Sequence, residues 1–259
     1  MLNTIKSYAK INLFLNVVDK LDTGFHELNS VLSRIDLYDE IRIKDESSFS
    51  ISYNGPFGDQ VGSNDNVSRL FNYLIDKNYL KQKSFAIHVL KNIPVGSGLG
   101  GGSSNVAEII KYLIRSNLLD NSSSTEIARD LGSDIEFFID EGSALISGKG
   151  NVDQRLKINS DKHFLIVFPN VQNSTMEIFN KHSNLSGEKF SYNKYTNLDE
   201  ILKDTSNELE KTALLANQEM KKIREYLEND ISCKYERMTG SGSAYFTVYE
   251  DKQKAEEAI

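Results

Sequence analysis

The chain has 259 residues, of which 39% are hydrophobic and 26% are charged, a composition typical of a globular protein with a sizeable core. It contains one cysteine, which excludes an internal disulfide framework and, with no N-terminal signal run, predicts a cytoplasmic protein. The formal net charge of −7, without a basic stripe or a long apolar span, argues against nucleic-acid and membrane partners.

The chain opens with a strand pattern. Residues 4–18 alternate and then run apolar, which predicts one or two opening strands. Lys10 and Asn12 lie two positions apart and therefore share one side of that strand. Such a polar pair in an apolar strand indicates either a site or an exposed edge with a solvated lysine.

A turn over residues 19–28 comes next. It contains Gly24 and an exposed aromatic residue, Phe25, directly before His26. Three further elements are predicted from their periodicities: strands over 30–43 and 48–53, and a helix over 65–79 with Asp65 as its N-cap.

The stretch from Pro94 to Asn105, PVGSGLGGGSSN, holds five glycines and three serines. An alternating apolar strand pattern precedes it over 84–92, and a helical apolar pattern follows over 106–114. A glycine loop that leads from a strand into a helix directs backbone N–H groups and the positive end of the helix dipole at one point. The stretch therefore predicts an anion-binding loop. A flexible linker or plain turn is the alternative, and the patterned flanks argue against it.

The loop matches neither of two common nucleotide-binding motifs. Gly96, Gly98 and Gly101 have the spacing of a dinucleotide fingerprint, but Pro94 intervenes after the strand and about ninety residues precede the loop. No Lys-Ser/Thr pair closes the loop as in a Walker A motif. The lysine and the acid that a nucleoside triphosphate needs must therefore come from elsewhere in the chain.

In the second half, Gly132 predicts the end of a short helix. Asp134 follows it, and on pattern alone it is a turn or cap residue before an apolar run over 137–139. The patterning restarts near residue 150, which predicts two domains, 1–150 and 151–259. The later elements are predicted as follows: a strand over 162–170, a helix over 173–182, a loop or mobile insertion over 183–206, a helical stretch over 207–230, a glycine-serine turn and strand over 236–250, and a closing helix.

Three motifs, in this order, resemble the GHMP kinase superfamily: YAKINLFLNV at 8–17, PVGSGLGGGSSN at 94–105 and MTGSGSAYF at 238–246. Two more, TGFHEL at 23–28 and LGSDIEFF at 131–138, resemble the branch that acts on a cytidine diphosphate sugar-alcohol in the non-mevalonate isoprenoid pathway. The match runs from about residue 5 to residue 249.

The resemblance implies an α+β, two-domain GHMP kinase fold. It implies an N-terminal half like ribosomal protein S5 domain 2, a C-terminal ferredoxin-like half, and an active site in the cleft between them. The implied reaction is phosphorylation by ATP of the tertiary 2-hydroxyl of the methylerythritol moiety, giving the 2-phosphate and ADP. The implied partner is this small-molecule substrate, and the chain is expected to be a monomer or a weak homodimer.

The resemblance also assigns roles by position. Lys10 and Asp134 would be the catalytic pair. The residues that would bind ATP are Asn66, near the adenine, and the loop residues Pro94, Val95, Gly96, Ser97, Gly98, Leu99, Gly100, Gly101, Gly102, Ser103 and Ser104. The residues that would bind the substrate are Asn12, Phe25, His26, Thr175, Phe179, Gly240, Ser241 and Gly242, with Phe25, His26 and Phe179 on the cytosine.

Physical chemistry is consistent with these roles. A carboxylate can accept the proton of a poorly nucleophilic tertiary alcohol, and an adjacent ammonium offsets charge as the phosphoryl group moves. Mg²⁺ is expected to arrive with ATP, with Ser103 and Ser104 as candidate protein ligands. For Phe25 and Phe179 the alternative is core packing, and for His26 it is a structural histidine.

Glu136 departs from the family pattern, which has proline two residues after the acid. In an extended segment, Glu136 would share one side with Asp134, and two carboxylates facing the site would raise the pKa of Asp134. We expect Glu136 to point to solvent instead.

Three other functions are consistent with parts of the sequence. One is another small-molecule GHMP kinase that acts on a mevalonate- or homoserine-type substrate. The second is a catalytically degenerate protein that binds nucleotide without transferring phosphate. The third is an NAD-dependent dehydrogenase built on Gly96, Gly98 and Gly101, which requires a parallel doubly wound sheet.

Overall fold

The structure is a computed structural model that describes residues 4–80, 84–158, 160–187, 189, 197–229 and 232–259. The residues group into two compact units, each made of three chain segments. The first unit comprises Met1–Lys10, Arg34–Val95 and Gly100–Glu141, and the second comprises Ile11–Ser33, Gly96–Leu99 and Gly142–Ile259. The domain boundary expected at residue 150 divides the chain into two continuous halves, which is a different division from these two units. It stays a prediction.

Two long strands contribute to both units. The first strand, β1 (Thr4–Lys20), passes from the first unit into the second, and β2 (His26–Asp45) returns. The first unit adds β3 (Ser50–Asn54) and β4 (Phe85–Leu90). There β4 pairs antiparallel with the end of β2 and parallel with β3.

Four helices belong to the first unit: α1 (Asn66–Asp76), α2 (Gly101–Arg115), α3 (Ser124–Leu131) and α4 (Ser133–Ile139). The predicted cap of α1 is confirmed, since the Asp65 carboxylate accepts a hydrogen bond from the Ser68 amide. Helix α1 packs on β4, with the rings of Phe71 and Phe85 5.6 Å apart. This packing holds the start of β4, the strand that leads into the glycine-rich loop.

The second unit contains five strands and five helices within its described residues. The strands are β5 (Ser143–Gly148), β6 (Asn151–Leu156), β7 (His163–Val167), β8 (Tyr235–Met238) and β9 (Tyr245–Tyr249). The helices are α5 (Thr175–Lys181), α6 (Leu198–Asp204), α7 (Glu210–Ala216), α8 (Gln218–Glu228) and α9 (Lys252–Glu257). Strand β5 pairs antiparallel with the start of β2 and with β6, while β9 pairs antiparallel with both β7 and β8.

Three predicted segments differ from the structure. The segment that contains Asp134 and Glu136, considered above as extended, is helical, as part of α4. The polar stretch 183–206, expected to be a loop or mobile insertion, contains α6, although residues 188 and 190–196 lie outside the described residues. The helical stretch 207–230 is interrupted at Asn217, whose side chain caps α8.

The strand pairing does not favour a dehydrogenase. The pairs β2–β4, β2–β5, β5–β6, β7–β9 and β8–β9 are antiparallel, and β3–β4 is parallel, whereas a dinucleotide-binding fold has a parallel sheet. None of the helices in the described ranges is both long enough and apolar enough to span a bilayer.

Candidate active site

A buried polar network in the first unit holds the base of the glycine-rich loop. The Lys91 ammonium pairs with Asp39 Oδ2, and both side chains are almost fully buried. Asp39 Oδ1 accepts hydrogen bonds from the backbone amides of Asn92 and Ile93, at 2.8 Å and 2.9 Å. Asn105 in α2 donates to Asp39 Oδ2 at 3.0 Å. The network therefore connects the end of β4 to the first turns of α2. Burial lowers the pKa of Lys91, while Asp39 opposes that shift.

The N-terminus of α2 has no side-chain cap. Its N-cap is Gly100, with φ of 72°, and no side chain there bonds to the first turn. A side-chain oxygen caps α1, α5, α6, α8 and α9, whereas α3, α4 and α7, like α2, have no side-chain cap. A Cβ on Gly100 would lie 3.1 Å from a Lys10 side-chain carbon, and one on Gly102 would lie 2.6 Å from Asn66 Nδ2. An uncapped helix start with glycines in the first turn fits a bound phosphate group.

The structure brings Lys10 and Asp134 together within the first unit. The Lys10 Nζ lies 3.5 Å from Asp134 Oδ2. Lys10 is 3% exposed, so the expectation of a solvated edge lysine is wrong. Asp134 has a side chain that is 37% exposed and lies in the first turn of α4. The pair therefore lies beside Gly100, with the carboxylate open to solvent.

Glu136 occupies neither of the positions expected for it. Because α4 is a helix, residues 134 and 136 lie about 200° apart around its axis rather than on one side. Glu136 is buried instead of pointing to solvent. Its two oxygens accept hydrogen bonds from Arg129 at 3.0 Å and 2.7 Å. The extra carboxylate is thus neutralised by an arginine of α3.

In the second unit, Asn12 is hydrogen-bonded by its neighbours. Its Nδ2 donates to Ser30 Oγ at 2.9 Å, and its backbone amide donates to Thr239 Oγ1 at 2.9 Å. Thr239 also leaves no room for a side chain at Gly98 of the loop, because a Cβ there would lie 2.2 Å from the Thr239 carbonyl oxygen. Asn12 therefore connects β1 to the turn that follows β8.

The proposed cytosine residues occupy two environments of the second unit. His26 is buried, with its ring centroid 5.3 Å from that of Phe179. Burial lowers the pKa of His26, and the charges of Lys20 and His182 lower it further. Phe25 is 61% exposed, so it is not a core residue, and the Lys149 ammonium lies 4.8 Å from its ring centroid.

The glycine-serine turn after β8 is held from both sides. The hydroxyl oxygens of Thr175 and Ser241 are 2.9 Å apart. Asn207 donates from Nδ2 to the carbonyl oxygens of Met238 and Gly240, each at 2.8 Å. Gly240 and Gly242 have φ of 57° and 79°, a conformation that favours glycine. The turn therefore presents its backbone in a fixed shape.

The loop offers one serine more readily than the other to a metal ion. Ser104 is buried, and its Oγ accepts a hydrogen bond from Ser7 at 2.8 Å, whereas Ser103 is partly exposed. Within the described part of the chain, no group of three or more His, Cys, Asp or Glu side chains has a metal-binding arrangement. Of the two hydroxyls, that of Ser103 is therefore the more accessible to a metal ion that arrives with a phosphate ligand.

Sequence patterns did not identify Asp39, Lys91 and Thr239 as parts of this arrangement. Asp39 and Lys91 are separated by 52 positions, and each lies in a segment whose pattern indicates only a strand. The one available signal was a lysine at the end of an apolar strand directly before the loop.

Comparison with known families gives two matches. The GHMP kinases N terminal domain matches residues 65–145, and the GHMP kinases C terminal domain matches residues 167–259. The first match includes the loop and Asp134, and the second includes the glycine-serine turn.

Individual relatives extend the match to nearly the whole chain. A 4-diphosphocytidyl-2-C-methyl-D-erythritol kinase from Pelagibacter ubique is 34% identical, with 98% of this chain and 92% of the relative covered. The enzyme of that name from Fervidobacterium nodosum is 33% identical over 95% and 90% of the two chains.

Solved structures give the same family. A crystal structure of 4-(cytidine 5'-diphospho)-2C-methyl-D-erythritol kinase superposes with a TM-score of 0.80 and 25% identity, covering 99% of this chain and 93% of the other. The Methanococcus jannaschii mevalonate kinase, at 16% identity and a TM-score of 0.63 with 99% and 93% covered, shows the shared fold alone. The chain belongs to the GHMP kinase family.

Proposed function

We propose that this protein transfers a phosphoryl group from ATP to the 2-hydroxyl of 4-diphosphocytidyl-2-C-methyl-D-erythritol, giving the 2-phosphate and ADP. The observation that carries the proposal is the Lys10–Asp134 pair, 3.5 Å apart beside the uncapped start of α2. The names of relatives that match nearly the full chain supply the substrate.

The loop residues Pro94–Ser104 would bind the phosphates of ATP. Backbone N–H groups at Gly100–Ser103 and the dipole of the 15-residue helix α2 favour an anion at this point. Asn66, which lies against Gly102, would contact the nucleotide. ATP supplies the transferred group, and Mg²⁺, with Ser103 as its candidate protein ligand, would offset the phosphate charge.

Asp134 would orient the acceptor hydroxyl and accept its proton. Its exposed carboxylate is reachable by a substrate, and proton transfer to a positioned carboxylate accelerates such reactions by about 10²–10⁴-fold. Lys10 would stabilise the negative charge that develops on the oxygen as the proton leaves. Because the Lys10 side chain is buried, its ammonium would act in a medium of low dielectric, where charge stabilisation is stronger.

The second unit would bind the cytidine diphosphate part of the substrate. Phe25 offers an exposed ring for stacking on cytosine, and His26 and Phe179 form a neighbouring ring pair. A neutral His26 imidazole has one donor and one acceptor, as does an edge of the base. Asn12, Thr175, Gly240, Ser241 and Gly242 would place the substrate through the turn after β8.

We further propose that the enzyme works in a reducing cytoplasm, as a monomer or a weak homodimer. The single cysteine is consistent with that compartment. Light scattering across a concentration series distinguishes a stable oligomer from this expectation.

The test is ADP release with three alcohols at equal concentration: the cytidine diphosphate alcohol, mevalonate and homoserine. We expect turnover with the first and only background rates with the other two. Turnover of mevalonate or homoserine in preference would assign a different substrate within the family. ATP binding without any turnover would support a catalytically degenerate nucleotide-binding protein.

A further inference from the structure

A cavity of about 410 Å³ lies in the second unit, between the end of α5 and helix α7. Its polar lining consists of Lys181, His182, Ser183, Asn184, Lys211 and Thr212, and Leu215 lies at its edge. None of the residues to which the proposed function gives a role lines this cavity. Pockets of about 300–1,000 Å³ hold small molecules, so the space exceeds what a single water or ion needs.

Among the described residues, the polar part of the lining carries hydrogen-bond donors and no carboxylate. It offers two ammonium groups, an imidazole, two hydroxyls and an amide. Lys181 also pairs with Glu177 outside the lining, at 2.5 Å. Both partners are more than half exposed, and ion pairs of this kind contribute little. An anion in the cavity can therefore compete for the Lys181 ammonium.

His182 provides a second and independent sign of a ligand. Its ring is 7% exposed, and its Nδ1 lies 3.0 Å from Thr212 Oγ1. Its Nε2 is buried and has no hydrogen-bond partner among the described residues. When the Thr212 hydroxyl donates to Nδ1, Nε2 carries the proton and requires an acceptor. A buried donor without a partner is destabilising, and a ligand oxygen would remove that cost.

We propose that this cavity binds a small phosphate-bearing metabolite. The phosphate oxygens accept hydrogen bonds from Lys211, Lys181 and His182, and the organic part of the metabolite packs on Leu215. A phosphate carries up to two charges and several acceptor oxygens, which matches two ammonium groups and the neutral donors of His182, Ser183 and Asn184 better than a single carboxylate does. Leu215 is 73% exposed, so it has apolar surface left for such a contact.

The probe is inorganic pyrophosphate, titrated by calorimetry into the full-length protein with a saturating non-hydrolysable ATP analogue present. The analogue blocks the proposed nucleotide site, and Lys211→Met, which alters a lysine that lines the cavity, distinguishes binding in the cavity from binding at the proposed site for the substrate diphosphate. We expect about one equivalent to bind, and Lys211→Met to weaken the affinity about tenfold, since a lost charge-assisted hydrogen bond has an effect of this order. We also expect butyl phosphate to bind more tightly than inorganic phosphate, because its chain contacts Leu215.

Lys221→Met is the matched control. It removes the same charge from an exposed lysine of α8 that does not line the cavity, and its pyrophosphate affinity should equal that of the wild type. Histidine ring signals by NMR, assigned with His182→Gln, should shift when pyrophosphate is added. The inference is wrong if pyrophosphate does not bind beside the analogue, or if Lys211→Met binds it as well as Lys221→Met does. These outcomes are independent of whether the alcohol is phosphorylated.

Discussion

The Asp134 carboxylate and the Lys10 ammonium are 3.5 Å apart, and the Lys10 side chain is buried whereas that of Asp134 is partly exposed. Asp134→Asn keeps the shape of the side chain and removes the base. We expect kcat to fall by about 10²–10⁴-fold, with KM for ATP within a few-fold of the wild-type value. Because the Lys10 side chain is buried, the loss of its charged partner should also lower the midpoint of thermal unfolding.

Asp140→Asn is the control for that substitution. Asp140 follows α4 and is exposed, and it has no role in the proposed chemistry. ADP release and thermal unfolding are measured on both variants. Wild-type kcat in Asp134→Asn would contradict the assignment of Asp134 as the catalytic carboxylate.

His26 leads to a prediction about pH. Its folded-state pKa is lowered, by burial first and then by the charges of Lys20 and His182. As the pH falls below the unfolded value of about 6.5, the unfolded chain binds a proton before the folded chain does. The contribution of His26 to the free energy of unfolding is therefore present above that pH and is lost below it.

An NMR titration of the His26 ring checks this prediction. We expect a midpoint below 6.5, and Lys20→Met should raise it, because one of the named causes is removed. We also expect the pH dependence of unfolding below 6.5 to weaken in His26→Gln. A midpoint at or above 6.5 would show that the ring is not desolvated as described.

At the scale of elements, the Asp39–Lys91 pair determines how β4 leads into α2. Asp39→Asn leaves the Lys91 ammonium buried without its charged partner, and breaking such a pair costs about 3–5 kcal/mol. Asp39→Asn combined with Lys91→Met removes both charges, and it should cost less than Asp39→Asn alone. Urea unfolding of both single variants and the double variant gives the coupling free energy. Additive effects of the two single substitutions would mean that the pair is not coupled.

Gly98 tests the packing of the loop on the turn after β8. It has φ of +82°, and a Cβ there would lie 2.2 Å from the Thr239 carbonyl oxygen. We expect Gly98→Ala to cost at least about 2 kcal/mol, since left-handed backbone strain alone costs about 1–3 kcal/mol. Gly62→Ala is the control, because no atom lies within 4 Å of its Cβ position, and it should be neutral or slightly stabilising. Equal stabilities of the two variants by urea unfolding would contradict the described contact.

Sequence periodicity predicted the elements that bury one regular face. In β4, Phe85, Ile87 and Val89 alternate with less buried neighbours, and α1 has a regular buried stripe. Helix α4 was missed because it has only seven residues and its four buried residues, 135–138, are consecutive, so the burial shows neither a helical nor a strand periodicity. The break at Asn217 was missed because no glycine or proline marks it in the sequence, and only the cap reveals it.

The part of the candidate site that lies within one local motif was predictable from the sequence. The glycine-rich loop follows from its own composition and flanks, and the assignment of Lys10 and Asp134 came from resemblance. Their separation of 3.5 Å depends on two elements far apart in sequence, and no local pattern encodes it. The pairing of Glu136 with Arg129 was also out of reach, because it requires knowing that α4 is a helix.

For the molecule as a whole, connectivity is the distinctive property, because each unit takes its residues from separate parts of the chain. A core cluster of the second unit contains residues from both ends of the chain. Leu15 and Val17, from β1, are buried in one cluster with Ile178, Leu209 and Met238. The second unit therefore depends on residues that precede the expected boundary at residue 150.

Expressing residues 151–259 alone tests that dependence. Without Leu15 and Val17, the fragment exposes the apolar surface of its partners, and each lost large side chain removes about 1.5–3 kcal/mol of burial. Domains are marginally stable, by about 5–15 kcal/mol, so we expect a fragment without cooperative thermal unfolding and with poor dispersion in a ¹H–¹⁵N spectrum. A chain ended after residue 250 is the control, since it loses only α9, which buries no residue, and it should unfold cooperatively. A folded 151–259 fragment would show that β1 is dispensable for this core and would place an autonomous domain after residue 150.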